Sequence, residues 1–100
     1  MKVSVYLNFG DIMNNFFGIL KVEKISDIIF DYYNKCKCYF KITCVDTDSK
    51  YNNKFLIFCN EKIIDRIYKQ IKTNDYIYVF GRVVNSNELS IVSYIIKKLN

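Results

Sequence analysis

The sequence contains no histidine, proline, tryptophan or alanine, and only three glycines. Without histidine it lacks the commonest general acid/base and the commonest metal ligand. Without a glycine-rich run it has no phosphate-cradling loop, and no serine or cysteine has a histidine to activate it. The expectation is therefore a protein that is not an enzyme and needs no cofactor. No stretch approaches the roughly 18 consecutive apolar residues of a membrane span. Met1 to Leu20 carries Asp11 and two adjacent asparagines, which suits neither a signal peptide nor a transit peptide. Arginine is scarce as well: lysine outnumbers it 13 to 2.

What is present suits one small folded domain. The chain has 100 residues, 51% of them hydrophobic, and a net charge of +5. That size buries only about two-thirds of the unfolded surface, so self-association would add stability. The excess of positive charge fits a polyanionic partner. Ile, Asn, Lys and Tyr dominate, the signature of AT-rich coding DNA as in many organelle genomes. The same bias supplies lysine and tyrosine without any functional need for them.

Four cysteines, Cys36, Cys38, Cys44 and Cys59, invite a metal or disulfide reading. Zinc ligands come in close pairs set in turns. Here three cysteines share one face of one extended segment, too much chain for one ion to gather. They read as small buried hydrophobes, with no metal site. Asp46 and Asp48, with Glu61, Asp65 and Asp75, lack the spacing of a calcium loop and read as solvated turn and helix-start charges.

Along the chain the dominant signal has period two. Residues 1–15 read as an N-terminal strand or arm, and residues 16–100 as the folded domain. Phe16–Ile25 is the first strand of that domain. Ser26–Asn34 is ambiguous, a possible bent extension of it. Cys36–Val45 alternates most sharply: Cys36, Cys38, Phe40, Ile42 and Cys44 against Lys37, Tyr39, Lys41 and Thr43. Lys54–Cys59 is the third strand, with Phe55, Ile57 and Cys59 on one side. Asn60 is a good helix N-cap ahead of an apolar stripe, Ile63, Ile64, Ile67, Tyr68 and Ile71. Asn74 stands where a left-handed residue stops a helix. Tyr76–Val83 is a strand interrupted by Gly81, a bulge signal. A turn at Asn85–Glu88 leads to the last strand, Leu89–Ile96. Three strands, one helix, then two strands is the order of a five-stranded OB-fold barrel, all-β with one helix between strands three and four; a plain α+β domain fits the same string, but the single helix at that position favours the barrel.

Residues Glu61 to Val83 carry a more specific pattern. Ile71, Ile77 and Val79 alternate into Gly81-Arg82-Val83, with Asn74 at the helix end. This segment resembles the bacterial and organellar single-stranded-DNA-binding proteins, in which a helix closing on a glycine leads into such a strand. The likeness extends over roughly residues 16–99, and with the composition it is similar to short plastid-encoded members. It implies a protein of DNA replication or repair in an organelle, plastid rather than mitochondrion. The implied partner is single-stranded DNA, bound with little sequence preference by a homotetramer or homodimer, away from membranes.

Single strands are held by cations along the phosphates and by rings stacked on bases. In OB folds the outer face of strands two and three does this. Here that face carries Lys37, Tyr39, Lys41, Lys54 and Phe58, with Lys50 and Tyr51 in the adjoining loop. Arg82 is expected at a phosphate. Tyr78 and Phe80, on the outer face of the fourth strand, are expected at an oligomer contact. Two other readings remain: an OB-fold interaction subunit that binds no nucleic acid, and RNA as the ligand instead of DNA.

Overall fold

The computed structural model describes residues 6–7, 15–31, 37–46, 53–85 and 88–99. Its strands are β1 (Tyr6–Leu7), β2 (Asn15–Ile25), β3 (Ile29–Asp31), β4 (Lys37–Asp46), β5 (Lys54–Asn60), β6 (Tyr76–Asn85) and β7 (Ser90–Lys98). They form one sheet in the order β1-β2-β6-β7-β5-β4-β3, and a further pairing of β2 with β4 closes it. The closed part is a five-stranded barrel of β2, β4, β5, β7 and β6, with one short helix between its third and fourth strands: an OB-like fold.

Closure depends on β2, whose eleven residues pair with two other strands of the barrel as well as with β1. Asn15–Lys21 pairs with β6, and Leu20–Ile25 pairs with β4. The register shifts between Val22 and Lys24, a bulge of the kind that bends a strand around a barrel corner. The last closure is the parallel pair of β5 with β7, Leu56 to Phe58 against Ser90 to Val92.

Period-two patterning fills the barrel. Phe16, Leu20 and Val22 point inward from β2, Phe40, Ile42 and Cys44 from β4, Phe55, Ile57 and Cys59 from β5, and Ile77, Val79 and Val83 from β6, all buried. Gly81 faces inward too. A Cβ built there would lie 2.3 Å from the Val92 carbonyl oxygen, so only glycine allows β7 this close. The register of β6 against β7 shifts at Phe80/Gly81, as the sequence position of the glycine predicted.

The helix closes one end of the barrel. Asn60 Oδ1 accepts the Lys62 N–H at 3.1 Å and caps helix α1 (Glu61–Ile63). The sequence predicts a longer α-helix, but Ile64–Tyr68 is π-helical. Ile63, Ile67 and Ile71 stay buried through the change, four residues apart, so tertiary burial has overridden the regular turn. Tyr68 sets its ring edge-on to Phe40, with centroids 4.9 Å apart. Asn74 ends the segment at φ 76°, left-handed as expected. Its N–H donates to the Val22 carbonyl, and the Val22 N–H donates to the Asp75 carbonyl, both at 2.8 Å. The ambiguous stretch after β2 is the bent extension the sequence allows: after a break at residues 26–28 the chain continues as β3 along the same edge of β4, Ile25 lying opposite Ile42 and Ile29 opposite Tyr39.

Candidate nucleic-acid interface

Alternation on β4 decides which side chains face out. Phe40, Ile42 and Cys44 occupy the core, so Lys37, Tyr39, Lys41 and Thr43 lie on the opposite face. Lys37 is exposed; Tyr39 and Lys41 are half-buried. On β5 the same logic turns Lys54, Leu56 and Phe58 outward. Antiparallel register sets Lys41 directly across from Phe58, and Tyr39 across from Asn60. The rings of Tyr39 and Phe58 meet diagonally across the two strands, centroids 6.3 Å apart and tilted by 44°.

Two hydrogen bonds fix Lys41. The Ser26 N–H donates to the Lys41 carbonyl at 2.9 Å, and the Lys41 N–H donates to Ser26 Oγ at 2.8 Å. The bend after β2 is thereby tied to the centre of β4. Phe58 is held from the other side, where the buried Ser93 hydroxyl donates to its carbonyl at 2.8 Å.

The expected residues do not all converge. Lys37, Tyr39, Lys41 and Phe58 share one face. Lys54 is at its edge, and its ammonium lies 3.1 Å from Glu23 on β2. That exposed pair contributes little to stability but offsets the positive charge there. Arg82 is exposed on β6, a strand with no direct pairing to β4 or β5, so it stands on another side of the barrel from this face. Lys50, Tyr51 and Cys36 lie outside the described residues, as does Asp48. One cation was missed by sequence reasoning. Lys24, opposite Thr43, joins this face because the bulge resets the alternation of β2. The adjacent charges Glu23 and Lys24, a break in period two, are the signal that marks it.

A second, apolar face runs over β2, β6 and β7. Tyr78 sits opposite Ile19 and Lys97; Phe80 sits opposite Phe17 and Ile95. The Phe80 and Tyr94 rings are 5.9 Å apart. Phe17, Tyr76, Tyr94 and Ile95 are exposed. Tyr78 and Phe80 were expected here; Phe17, Tyr94 and Ile95 come together with them only through strand pairing.

Cys44 and Cys59 take no part in either face. Cys44 and Cys59 are fully buried, and Cys38 is half-buried; all three are free thiols. Burial pushes the Cys59 thiol up to about 12, against which a hydrogen bond with Ser93 works. Burial, followed by the nearby Cys59 and Glu23, drives the Cys44 thiol still further up. Among the described residues no three Cys, Asp or Glu side chains are grouped to hold a metal ion. No helix among them is long and apolar enough to cross a membrane. Compared with known proteins, the chain matches no family model, no curated protein and no solved structure.

Proposed function

We propose that the chain is a single-strand-binding protein without catalytic activity, with DNA as its ligand and little overall sequence preference. The observation that carries this reading is the Tyr39–Phe58 ring pair, flanked by Lys41, Lys24 and Lys37, on the outer face of β4 and β5. Stacking on two adjacent rings suits any base, because every base has a π-face. The lysines neutralise phosphates as the strand passes. The likeness of Glu61–Val83 to single-stranded-DNA-binding proteins supports the same reading, as do the OB-like barrel and the +5 charge. The composition supports a role in replication or repair of organelle DNA, in the plastid before the mitochondrion.

We propose further that copies of the chain associate through the Phe17, Tyr78, Phe80, Tyr94 and Ile95 face. Rings and aliphatic side chains contiguous across three strands are what a self-association surface requires, and isolated exposed apolar residues do not make one. Arg82 borders this face and not the ring pair, so its expected phosphate contact requires a strand that continues around the barrel.

Fluorescence anisotropy of labelled oligo-dT tests the reading, with duplex DNA and an RNA oligomer of the same length as competitors. Preferential binding of the single DNA strand is expected. Equal binding of the duplex would overturn the stacking mechanism. Displacement by RNA at lower concentrations than by DNA would make RNA the ligand.

A further inference from the structure

Where the outer face of β4 reaches the start of the helix there is an open concavity of about 320 Å³. Three segments wall it. Asp31 ends β3, Lys37 and Tyr39 stand on β4, and Asn60, Glu61 and Lys62 form the junction of β5 with α1. Strand register assembles it, Asp31 lying opposite Lys37 and Tyr39 opposite Asn60. The volume is at the small end of the roughly 300–1,000 Å³ range of ligand pockets. It suits one heteroaromatic ring with its sugar.

The lining narrows the choice of ring. Two carboxylates make the pocket a poor phosphate site, and two ammonium groups make it a poor cation site. A planar base with donors along one edge and an acceptor beside them satisfies both sets. Asn60 Oδ1 already accepts the Lys62 N–H, which leaves its Nδ2 as a donor. Asp31 is engaged in another contact, whereas Glu61 is exposed and forms no ion pair among the described residues. Guanine presents N1–H and the exocyclic N2–H side by side, matching the two oxygens of one carboxylate, with O6 next to them for a donor. Thymine presents one N–H between two carbonyls, which carboxylates repel. Adenine and cytosine each offer one exocyclic amine.

We propose that this pocket takes one unstacked base of the bound strand and selects guanine. Glu61 accepts from its N1–H and N2–H, Asn60 donates to O6, and Tyr39 forms the wall against the ring. The inference rests on the strand-binding reading and adds to it a single sequence-selective position on an otherwise indifferent path.

The test compares anisotropy titrations of an oligo-dT tract, the same tract with one central dG, and the same tract with deoxyinosine, which lacks the exocyclic amine. Wild-type protein is expected to bind the dG tract about tenfold more tightly than dT, one good bidentate base contact, with inosine between. Glu61→Gln is expected to erase that difference, so that the dG, inosine and dT tracts bind the variant alike. Glu61 is exposed, so the variant should fold, and an unchanged thermal melt verifies this. Equal affinity of the wild type for dT and dG tracts overturns the pocket and leaves strand binding standing. No binding of either tract overturns both. Displacement of the dG tract by guanosine monophosphate at equal concentration would assign the pocket to a free nucleotide instead. Cys38 lines the same concavity and supplies a second readout. In a Cys36→Ser background its alkylation is expected to slow more with the dG tract than with dT, and an equal rate contradicts the proposal.

Discussion

Tyr39 and Phe58 belong to neighbouring antiparallel strands, and their rings lie 6.3 Å apart, centroid to centroid, on the outside of the barrel. Neither is needed to fill the core, which Phe40, Ile57 and Cys59 close behind them. Tyr39→Ala and Phe58→Ala should each weaken single-strand binding by about 1–3 kcal/mol, the loss of one base stack. The circular dichroism spectrum should stay unchanged. Because the rings touch, the double variant should lose less than the sum of the two. Unchanged affinity in both single variants would show that the strand does not run over this face.

Gly81 should not tolerate alanine. The added Cβ would meet the Val92 carbonyl oxygen at 2.3 Å and Ile91 Cγ2 at 2.9 Å. β7 would have to retreat at the point where it closes the barrel. A loss of about 1–3 kcal/mol, or more, is expected from such overpacking, read as a lower urea midpoint. Asn74 is the contrasting case. Its φ of 76° is left-handed with no such crowding, so Asn74→Gly should be nearly neutral, while Asn74→Val should cost about 1–2 kcal/mol.

The buried thiols make stability fall in alkali. Cys59 is raised from 9.0 to about 12 and Cys44 is raised as well, so the folded state holds protons that the unfolded chain releases. Their favourable neutral burial is fully present below pH 9.0, the unfolded value, and is lost progressively as pH climbs toward about 12. Urea midpoints at pH 7.5, 9 and 10.5 should decline, by about the linkage slope of the two groups. A Cys44→Ala, Cys59→Ala double variant should show a shallower decline. In native protein a thiol reagent should modify Cys38 while sparing Cys44 and Cys59, and all three should react in urea.

Removing one carboxylate should improve binding. Glu23 lies 3.1 Å from Lys54, and both side chains are well solvated. Glu23→Gln should leave the melting temperature nearly unchanged, as exposed pairs contribute about 0–1 kcal/mol. Single-strand affinity at low salt should rise, because Lys54 is released to phosphate. Unaltered affinity would place Lys54 off the path.

Association of copies should depend on the apolar face. Phe80→Asp and Ile95→Asp introduce a charge where Phe17, Tyr94 and Tyr78 surround it. Light scattering after size exclusion should show a smaller species than the wild type. If the wild type is already monomeric at all concentrations tested, the face has another occupant.

Much of the fold is legible in the sequence because period two is a local signal. Cys36–Val45 and Lys54–Cys59 separate inner from outer residues without any knowledge of partners, and Gly81 and Asn74 each mark a backbone requirement. The readings that miss depend on non-local pairing. The π-helical run at Ile64–Tyr68 comes from seating three isoleucines on the barrel end, which the apolar stripe alone does not reveal. The bent extension read after Ile25 is present as β3, but the position of its break at residues 26–28 is set by pairing along β4 and is not marked in the sequence. The outward face of Arg82 is legible from its alternation with Val83, but its place on β6, with β7 between it and β5 and β2 between it and β4, follows only from the barrel order. Lys24 is marked only by the break in period two at Glu23-Lys24, whereas the Glu61 pocket arises at a strand–helix junction that no spacing in the chain announces.

Phosphate neutralisation and stacking should act together when the outer face of β4 and β5 holds a single strand. Titrating oligo-dT across a salt series, with wild-type protein and with Tyr39→Ala, separates the two contributions. A log–log slope of about −0.7 per phosphate neutralised is expected, shared by both proteins, with the variant displaced to weaker binding at every salt concentration. A flat salt response, or coincident lines for the two proteins, would refute binding by this face.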